Sequence, residues 1–258
     1  MRLSIITINY NNKQGLQETI DSVVSQTYKD IEWIIIDGGS TDGSRELIEE
    51  NAQYFTYWCS EPDKGIYNAM NKGIGQATGE YCLFLNSGDS LYSAHTLENV
   101  LKEKYTQDFV YGYLINKENM KRKACFAREN LTAADFFKSS LPHQATFMRK
   151  DVFDRYGLYD ESCTIVSDWK FFLKTIVFEN ASIKYIDQPI AIFDNTGISS
   201  QKNKKLRVAE YERTLKELFP LRILADYPYV LSLKDVLKNR FSRWAYSLLY
   251  RYSNMRNV

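Results

Sequence analysis

Histidine is scarce in this chain, and its cysteines form no pairing pattern. Two histidines and four cysteines (Cys59, Cys82, Cys125, Cys163) are scattered over 258 residues, with no Cys-x-x-Cys and no metal-ligand spacing between them. That excludes a Cys/His zinc site and a dithiol motif, leaving small buried thiols in a reducing compartment. Charge of one sign is not in excess either: a net charge of +1 argues against whole-chain attraction to nucleic acid. No stretch approaches the roughly 18 consecutive apolar residues of a membrane span. The apolar run within "MRLSIITINYNN" is too short for a signal peptide. Internal repeats and low-complexity linkers are missing as well. Together these absences predict a cytoplasmic protein.

What is present fits a soluble globular chain: 44% hydrophobic and 25% charged residues. The length allows one large α/β domain, or one domain plus a smaller appendage. Aromatic residues are plentiful, with 19 tyrosines; such rings line sugar and base sites but also fill cores. The charge is unevenly spread. Residues 201–258 hold 13 Lys or Arg against 5 Asp or Glu, a local +8, so the first 200 residues carry about −7.

The first hundred residues alternate two periodicities. "LSIITI" (3–8), "IEWIIID" (31–37), "FTYWCS" (55–60) and "YCLFL" (81–85) read as strands. Between them, 15–27, 45–52 and 66–77 read as helices, the first with Leu16, Ile20, Val23 and Val24 on one face. Thr41 or Asp42 suits the cap of the second helix. Alternation of this kind implies parallel crossovers and a doubly wound sheet. Beyond residue 100, strands fit 108–115, 145–150 and 183–194, and a helix fits 168–180.

In such sheets ligands bind beyond the carboxyl ends of the strands. The polar tips therefore matter: Asn9 to Asn12, Asp37, Glu61 with Asp63, and Asn86 to Asp89 should share one edge. Each also has a plain reading. Asp37 before Gly38 and Gly39 is either a turn aspartate or an acceptor for a base or ribose. Asp63 caps a helix or meets a ligand, and Asp168 is either a first-turn aspartate or a catalytic carboxylate. Asp89 supplies a single carboxylate to "LNSGDS".

The ordered set "SIITINYNN", "EWIIIDGGSTDGS", "SEPDKGIYNAMNKGIGQATGEY", "LFLNSGD", "PHQATF", "SDW" and "GISS" resembles the family 2 glycosyltransferases of the GT-A fold. Within them it looks closest to the branch that builds bacterial colanic acid, O-antigen and capsule. The resemblance implies a GT-A catalytic domain over 1–200: a Rossmann-like, mostly parallel sheet with helices on both faces. Residues 1–100 would be its nucleotide-binding half and 101–200 its acceptor and catalytic half. It implies an inverting transfer of a hexose or N-acetylhexosamine from a UDP-sugar to a polyprenyl-diphosphate-linked glycan, forming a β-linkage. Thr7, Asn9, Tyr10, Asp37, Asp63, Asn71 and Lys72 would then serve the nucleotide. Asn68, Asn86, His143, Gln144, Gly197 and Ser199 would serve donor sugar or acceptor, and Asp168 would be the general base. Asp89 would hold a divalent cation, Mn²⁺ or Mg²⁺. Asn86 and Gly88 stand where relatives often carry further acids, so the donor diphosphate must complete the metal site.

The basic tail reads in two ways. Over 231–251, Leu233, Leu237, Phe241, Trp244 and Leu248 recur at helical spacing beside Lys234, Lys238, Arg240, Arg243 and Arg251. Such a helix either lies in an anionic membrane surface, making the protein peripheral on the inner face of the membrane, or packs on the domain. Two rival functions remain. A nucleotidyltransferase would show a glycine-rich basic loop after the first strand, where "NYNNKQG" has one Lys and one Gly. A non-catalytic sugar-nucleotide-binding protein would keep the fold without turnover.

Overall fold

Two runs of β-branched residues form the centre of the sheet. β1 (Leu3–Asn9) and β2 (Ile31–Asp37) pair in parallel from Leu3↔Ile31 to Asn9↔Asp37, and every residue of β1 is buried. Strands covered on both faces have no need of polar alternation, which is why both read as continuous apolar runs. Fully burying each Ile contributes roughly 1.5–3 kcal/mol.

The computed structural model describes residues 2–123, 126–194 and 203–226. Gly197, Ser199 and the basic stretch 231–251 lie outside the described residues. The chain divides into two compact units, Met1–Tyr211 and Glu212–Val258. Among the described residues no helix is long and apolar enough to cross a membrane.

In the first unit β1 leads through α1 (Lys13–Val24) to β2, and α2 (Ser44–Glu50) to β3 (Tyr57–Ser60). α3 (Ile66–Gln76) then returns the chain to β4 (Tyr81–Phe84). The amide of Ser44 and that of Lys13 both donate to Asp42, so this one carboxylate serves the starts of α2 and α1. β5 (Ser90–Leu91) and α4 (Thr96–Leu101) follow, then β6 (Phe109–Asn116), α5 (Ala133–Phe136), β7 (Thr146–Arg149) and α6 (Asp151–Tyr156). α7 (Ser167–Phe172), β8 (Ile183–Phe193) and α8 (Lys204–Leu218) complete the order. The expected helix over 168–180 begins as α7 but runs on from Leu173 to Phe178 as a π-helix. There the Thr175 hydroxyl donates back to the Phe171 carbonyl at 2.8 Å, competing with the regular ladder.

The sheet order is β3-β2-β1-β4-β7-β6-β8-β5. β1 to β4 are mutually parallel, β7 runs antiparallel between β4 and β6, and β5 is antiparallel to β8. The expectation of a mostly parallel sheet therefore holds, with two reversed strands. From β1 the chain winds outward through β2 and β3, then returns to lay β4 on the other side of β1. That reversal opens a crevice beyond the tips of β1 and β4.

At the opposite end of these strands a buried carboxylate ties three segments. Glu32 accepts from the Ser4 hydroxyl, the Thr78 amide (2.7 Å), the Thr78 hydroxyl (2.8 Å) and the Gly79 amide (3.2 Å). Burial opposes its ionisation, but these donors outweigh burial and lower its pKa below the usual glutamate value. A carboxylate with a lowered folded-state pKa contributes stability above its unfolded pKa and loses it as pH falls through the folded value. Glu32→Gln is therefore expected to melt below the wild type at neutral pH, by about 1–3 kcal/mol of unfolding free energy. Thermal denaturation across a pH series should show the gap closing as the pH drops below the glutamate range.

Candidate active site

The crevice beyond β1 and β4 is a cleft of about 570 Å³. Its walls come from the tips of β1 (Asn9, Tyr10, Asn12), the turn before α3 (Pro62, Asp63), the first residues of α3 (Ile66, Tyr67), the loop after β4 (Asn86, Ser87, Asp89) and the end of β8 (Phe193, Asp194). A second cavity, of about 200 Å³, adjoins it. His143, Gln144, Asp168 and Phe193 belong to both walls.

The loop after β4 is held from beneath. Thr19, fully buried on α1, donates its hydroxyl to the Asp89 carbonyl at 2.7 Å and accepts the Gly88 amide at 3.1 Å. Gly88 has φ +101°, a conformation side chains avoid. The Asn12 side chain caps α1 by accepting from Gly15 and donates to the Ser87 carbonyl at 3.1 Å.

Asp89 itself is buried, 4% exposed, and one of its oxygens accepts the Asp194 amide at 3.1 Å. Burial pushes its pKa up to about 6, against the opposing pull of the Asp194 amide, His143 and Gln144. With Asp63, Asp168 and Asp194 it makes four carboxylates on the cleft wall, where the described residues include no Lys or Arg. No cluster of three metal-binding side chains exists among the described residues. Asp89 and Asp194 share this wall, the Asp194 carboxylate also meeting Lys117 Nζ at 3.1 Å, and their oxygens suit a hard divalent cation that takes its remaining oxygens from ligand and water. Nearby, the buried oxygens Asn9 Oδ1 and Asn86 Oδ1 have no partner among the described residues, so a ligand donor reaching either would satisfy it.

Asp168 sits in the first turn of α7. One oxygen accepts the Tyr67 hydroxyl (3.1 Å) and the Trp169 amide (2.8 Å); the other meets His143 Nδ1 at 2.9 Å. His143 Nε2 in turn lies 3.4 Å from the Asn86 amide nitrogen. The approach to α7 is fixed by Glu210, whose buried carboxylate accepts the amides of Thr164 (2.7 Å), Ile165 (2.9 Å) and Val166 (3.3 Å). The Trp169 ring packs on Tyr211 at 4.0 Å between centroids. This support comes from residues 210 and 211, within the first compact unit.

Eight expected site residues line the cleft: Asn9, Tyr10, Asp63, Asn86, Asp89, His143, Gln144 and Asp168. Asp63 plays both parts read for it, since it also accepts the Gly65 amide at the entrance of α3 at 2.7 Å. Five others are off the wall. Thr7 is in the core, accepting from the Trp33 indole at 3.1 Å. Asp37 is saturated by Asn9, Gly39, Ser40 and Ser60, and these bonds hold its pKa below the usual range despite burial; it shapes the loop without reaching the cleft. Asn68 and Asn71 both donate to Glu161 at 2.9 Å, and Lys72 pairs with Glu61 at 2.7 Å. Sequence reading missed Asn12, Tyr67, Asp194 and Glu210. Only Asn12 lay within a stretch already marked as a polar tip.

A family model described as "Glycosyl transferase family 2" matches residues 4–165. An uncharacterized glycosyltransferase of Mycobacterium tuberculosis is 33% identical over 209 residues, covering 78% of each chain. A PGL/p-HBAD biosynthesis glycosyltransferase of Mycobacterium bovis is 32% identical over 203 residues, covering 75% of this chain and 77% of its own. Among solved structures, S. aureus TarS 1–349 in complex with UDP-GlcNAc superposes with a TM-score of 0.64 at 19% identity. The match covers 76% of this chain and 60% of the TarS chain. A mannosyltransferase from Pyrobaculum calidifontis, in complex with GDP-Man and Mn²⁺, gives 0.62 at 16% identity, covering 100% and 81%. Both share the fold of this chain.

Thr19 is one of several anchors of the loop that carries Asp89, beside Asn12 and the carbonyls of Gly15 and Ile8. Thr19→Val, which keeps the shape and removes the hydrogen bonds, is expected to lower stability by about 1–3 kcal/mol. It should also speed amide exchange at Gly88, while Thr19→Ser retains the wild-type behaviour. Thermal denaturation and hydrogen exchange check both.

Proposed function

The chain belongs to glycosyltransferase family 2, and from that premise we propose that it transfers a hexose or N-acetylhexosamine from a UDP-sugar to a lipid-linked, polyprenyl-diphosphate-bound glycan, with inversion. The observation that carries this reading is the shared wall: Asp168 and His143 stand between a cleft large enough for a sugar nucleotide and a second cavity beside it. A transferase needs two substrates to meet at one carboxylate, and this arrangement supplies that meeting point. The UDP-GlcNAc complex of TarS supports a uridine donor in the larger cleft.

In the proposed reaction the acceptor hydroxyl, reaching from the smaller cavity, attacks the anomeric carbon of the donor. A new C1–O bond forms as the C1–O bond to the diphosphate breaks. The hydroxyl proton passes to Asp168, and UDP leaves with the bonding electrons. Attack opposite the leaving group turns an α-linked donor into a β-linked product. His143 and Tyr67 hold Asp168 from two sides, so the carboxylate is positioned before the acceptor arrives. Tyr10, 67% exposed at the β1 tip, offers a ring face to the base, and the unpaired Asn9 oxygen an acceptor for the nucleoside. Asp89, with Asp194 beside it, would hold a divalent cation, Mn²⁺ or Mg²⁺; when bound, such an ion stabilises charge on the leaving diphosphate.

Asp168→Asn is expected to reduce transfer by roughly 10²–10⁴-fold while UDP-sugar binding persists. The assay is UDP release over a panel of UDP- and GDP-sugars, with and without lipid-linked acceptors. Unchanged turnover in the variant would remove Asp168 from the chemistry. A panel in which only GDP-sugars react would replace the uridine donor, and binding without turnover by the wild type would favour the non-catalytic reading.

A further inference from the structure

The two cavities differ in charge. The larger is lined by four carboxylates and no Lys or Arg among the described residues; the smaller carries one lysine, Lys123, on the strand-like segment paired to β6. The Lys123 ammonium lies 3.6 Å from the centroid of the Phe193 ring, on the wall common to both spaces. Among the described residues it meets no carboxylate at ion-pair distance, unlike Lys117 and Lys72, which do. Lys123 is exposed, so its ammonium is open to a ligand, and a cation resting on an aromatic face gains from an anion brought beside it. The same cavity is lined by Ser140, whose buried hydroxyl has no partner among the described residues. Leu141 and Phe193 supply the apolar surface a sugar ring would cover.

Resting on the transferase reading above, we propose that the 200 Å³ cavity is an acceptor subsite built for a sugar that carries an anionic group, phosphate or carboxylate, held by Lys123 with Ser140 as a further donor. The attacking hydroxyl of that sugar would face Asp168, and its anionic group would lie across the cavity on the ammonium. Such a subsite selects among acceptors by charge. The donor cleft cannot do the same, having no lysine or arginine among its described residues.

The test uses the full chain with the donor cleft saturated by UDP and Mn²⁺, so that an added phosphate cannot enter it. Binding of glucose 1-phosphate, glucuronic acid and methyl glucoside is then followed by NMR or calorimetry in the wild type, Lys123→Gln and Lys123→Arg. The expected result is about tenfold or greater preference of the wild type for one or both charged sugars over methyl glucoside. That preference should vanish in Lys123→Gln and survive in Lys123→Arg; which charged sugar binds tells phosphate from carboxylate. Equal affinity for all three sugars in the wild type overturns the subsite, as does a preference that survives Lys123→Gln. A UDP titration of the same samples reports separately on the donor assignment. Failure of UDP to bind, with the Lys123-dependent preference intact, would overturn that assignment and support the subsite.

Discussion

Four carboxylates gathered on one cleft wall are the constraint around which this molecule is organised. Asp63, Asp89, Asp168 and Asp194 share the wall of one cleft, and Asp89 is so far from water that burial pushes its pKa up to about 6. Carboxylates crowded in this way repel one another and repel a nucleotide diphosphate still more. A divalent cation reverses the sign of that relation, attracting protein and ligand together. Among the described residues the nearby positive charge sits at the cleft's edge: Lys72 pairs with Glu61, Lys117 bridges Glu18 and Asp194, and Lys123 lies in the neighbouring cavity.

The rest of the fold reads as the means of holding those carboxylates still. Thr19 pins the loop that carries Asp89, the Asp194 amide reaches back to the Asp89 carboxylate, and Glu210 ties down three consecutive amides just before Asp168. These are hydrogen bonds between residues distant in sequence, made by a buried hydroxyl, a main-chain amide and a buried carboxylate. The sheet contributes position: parallel β1 and β4 end side by side at the point where the strand order turns, and both loops are delivered to the same edge.

Much of this was legible in the amino-acid order, for physical reasons. Fully buried parallel strands produce unbroken apolar runs, so β1, β2 and β4 announce themselves, and the polar residues that follow each run must be tips. Asn9, Asn86 and Asp89 were found that way. Three of the residues that sequence placed in the site but the fold did not have partners far away in the chain: Asn71 and Asn68 meet Glu161 some 90 residues later, and Thr7 faces a tryptophan on the next strand. Asp37 is held by its own turn, through Gly39 and Ser40, together with Asn9 and Ser60 from the neighbouring strands, and Lys72 pairs with Glu61 one turn before its helix. Asp194 and Glu210 were silent for the converse reason: nothing local marks a single acid at a strand end or within a helix, and only tertiary packing sets them beside Asp89 and the start of α7. β5 spans two residues, too short for any periodicity.

Cation and nucleotide are therefore expected to enter the acidic cleft as one unit. The direct measurement is a calorimetric titration of Mn²⁺ into the protein with and without UDP, with the converse titration of UDP in chelator. Cooperative binding is predicted: weak Mn²⁺ affinity alone, weak UDP affinity in chelator, and a marked gain for each when the other is present. UDP binding of equal strength with and without the metal would contradict it.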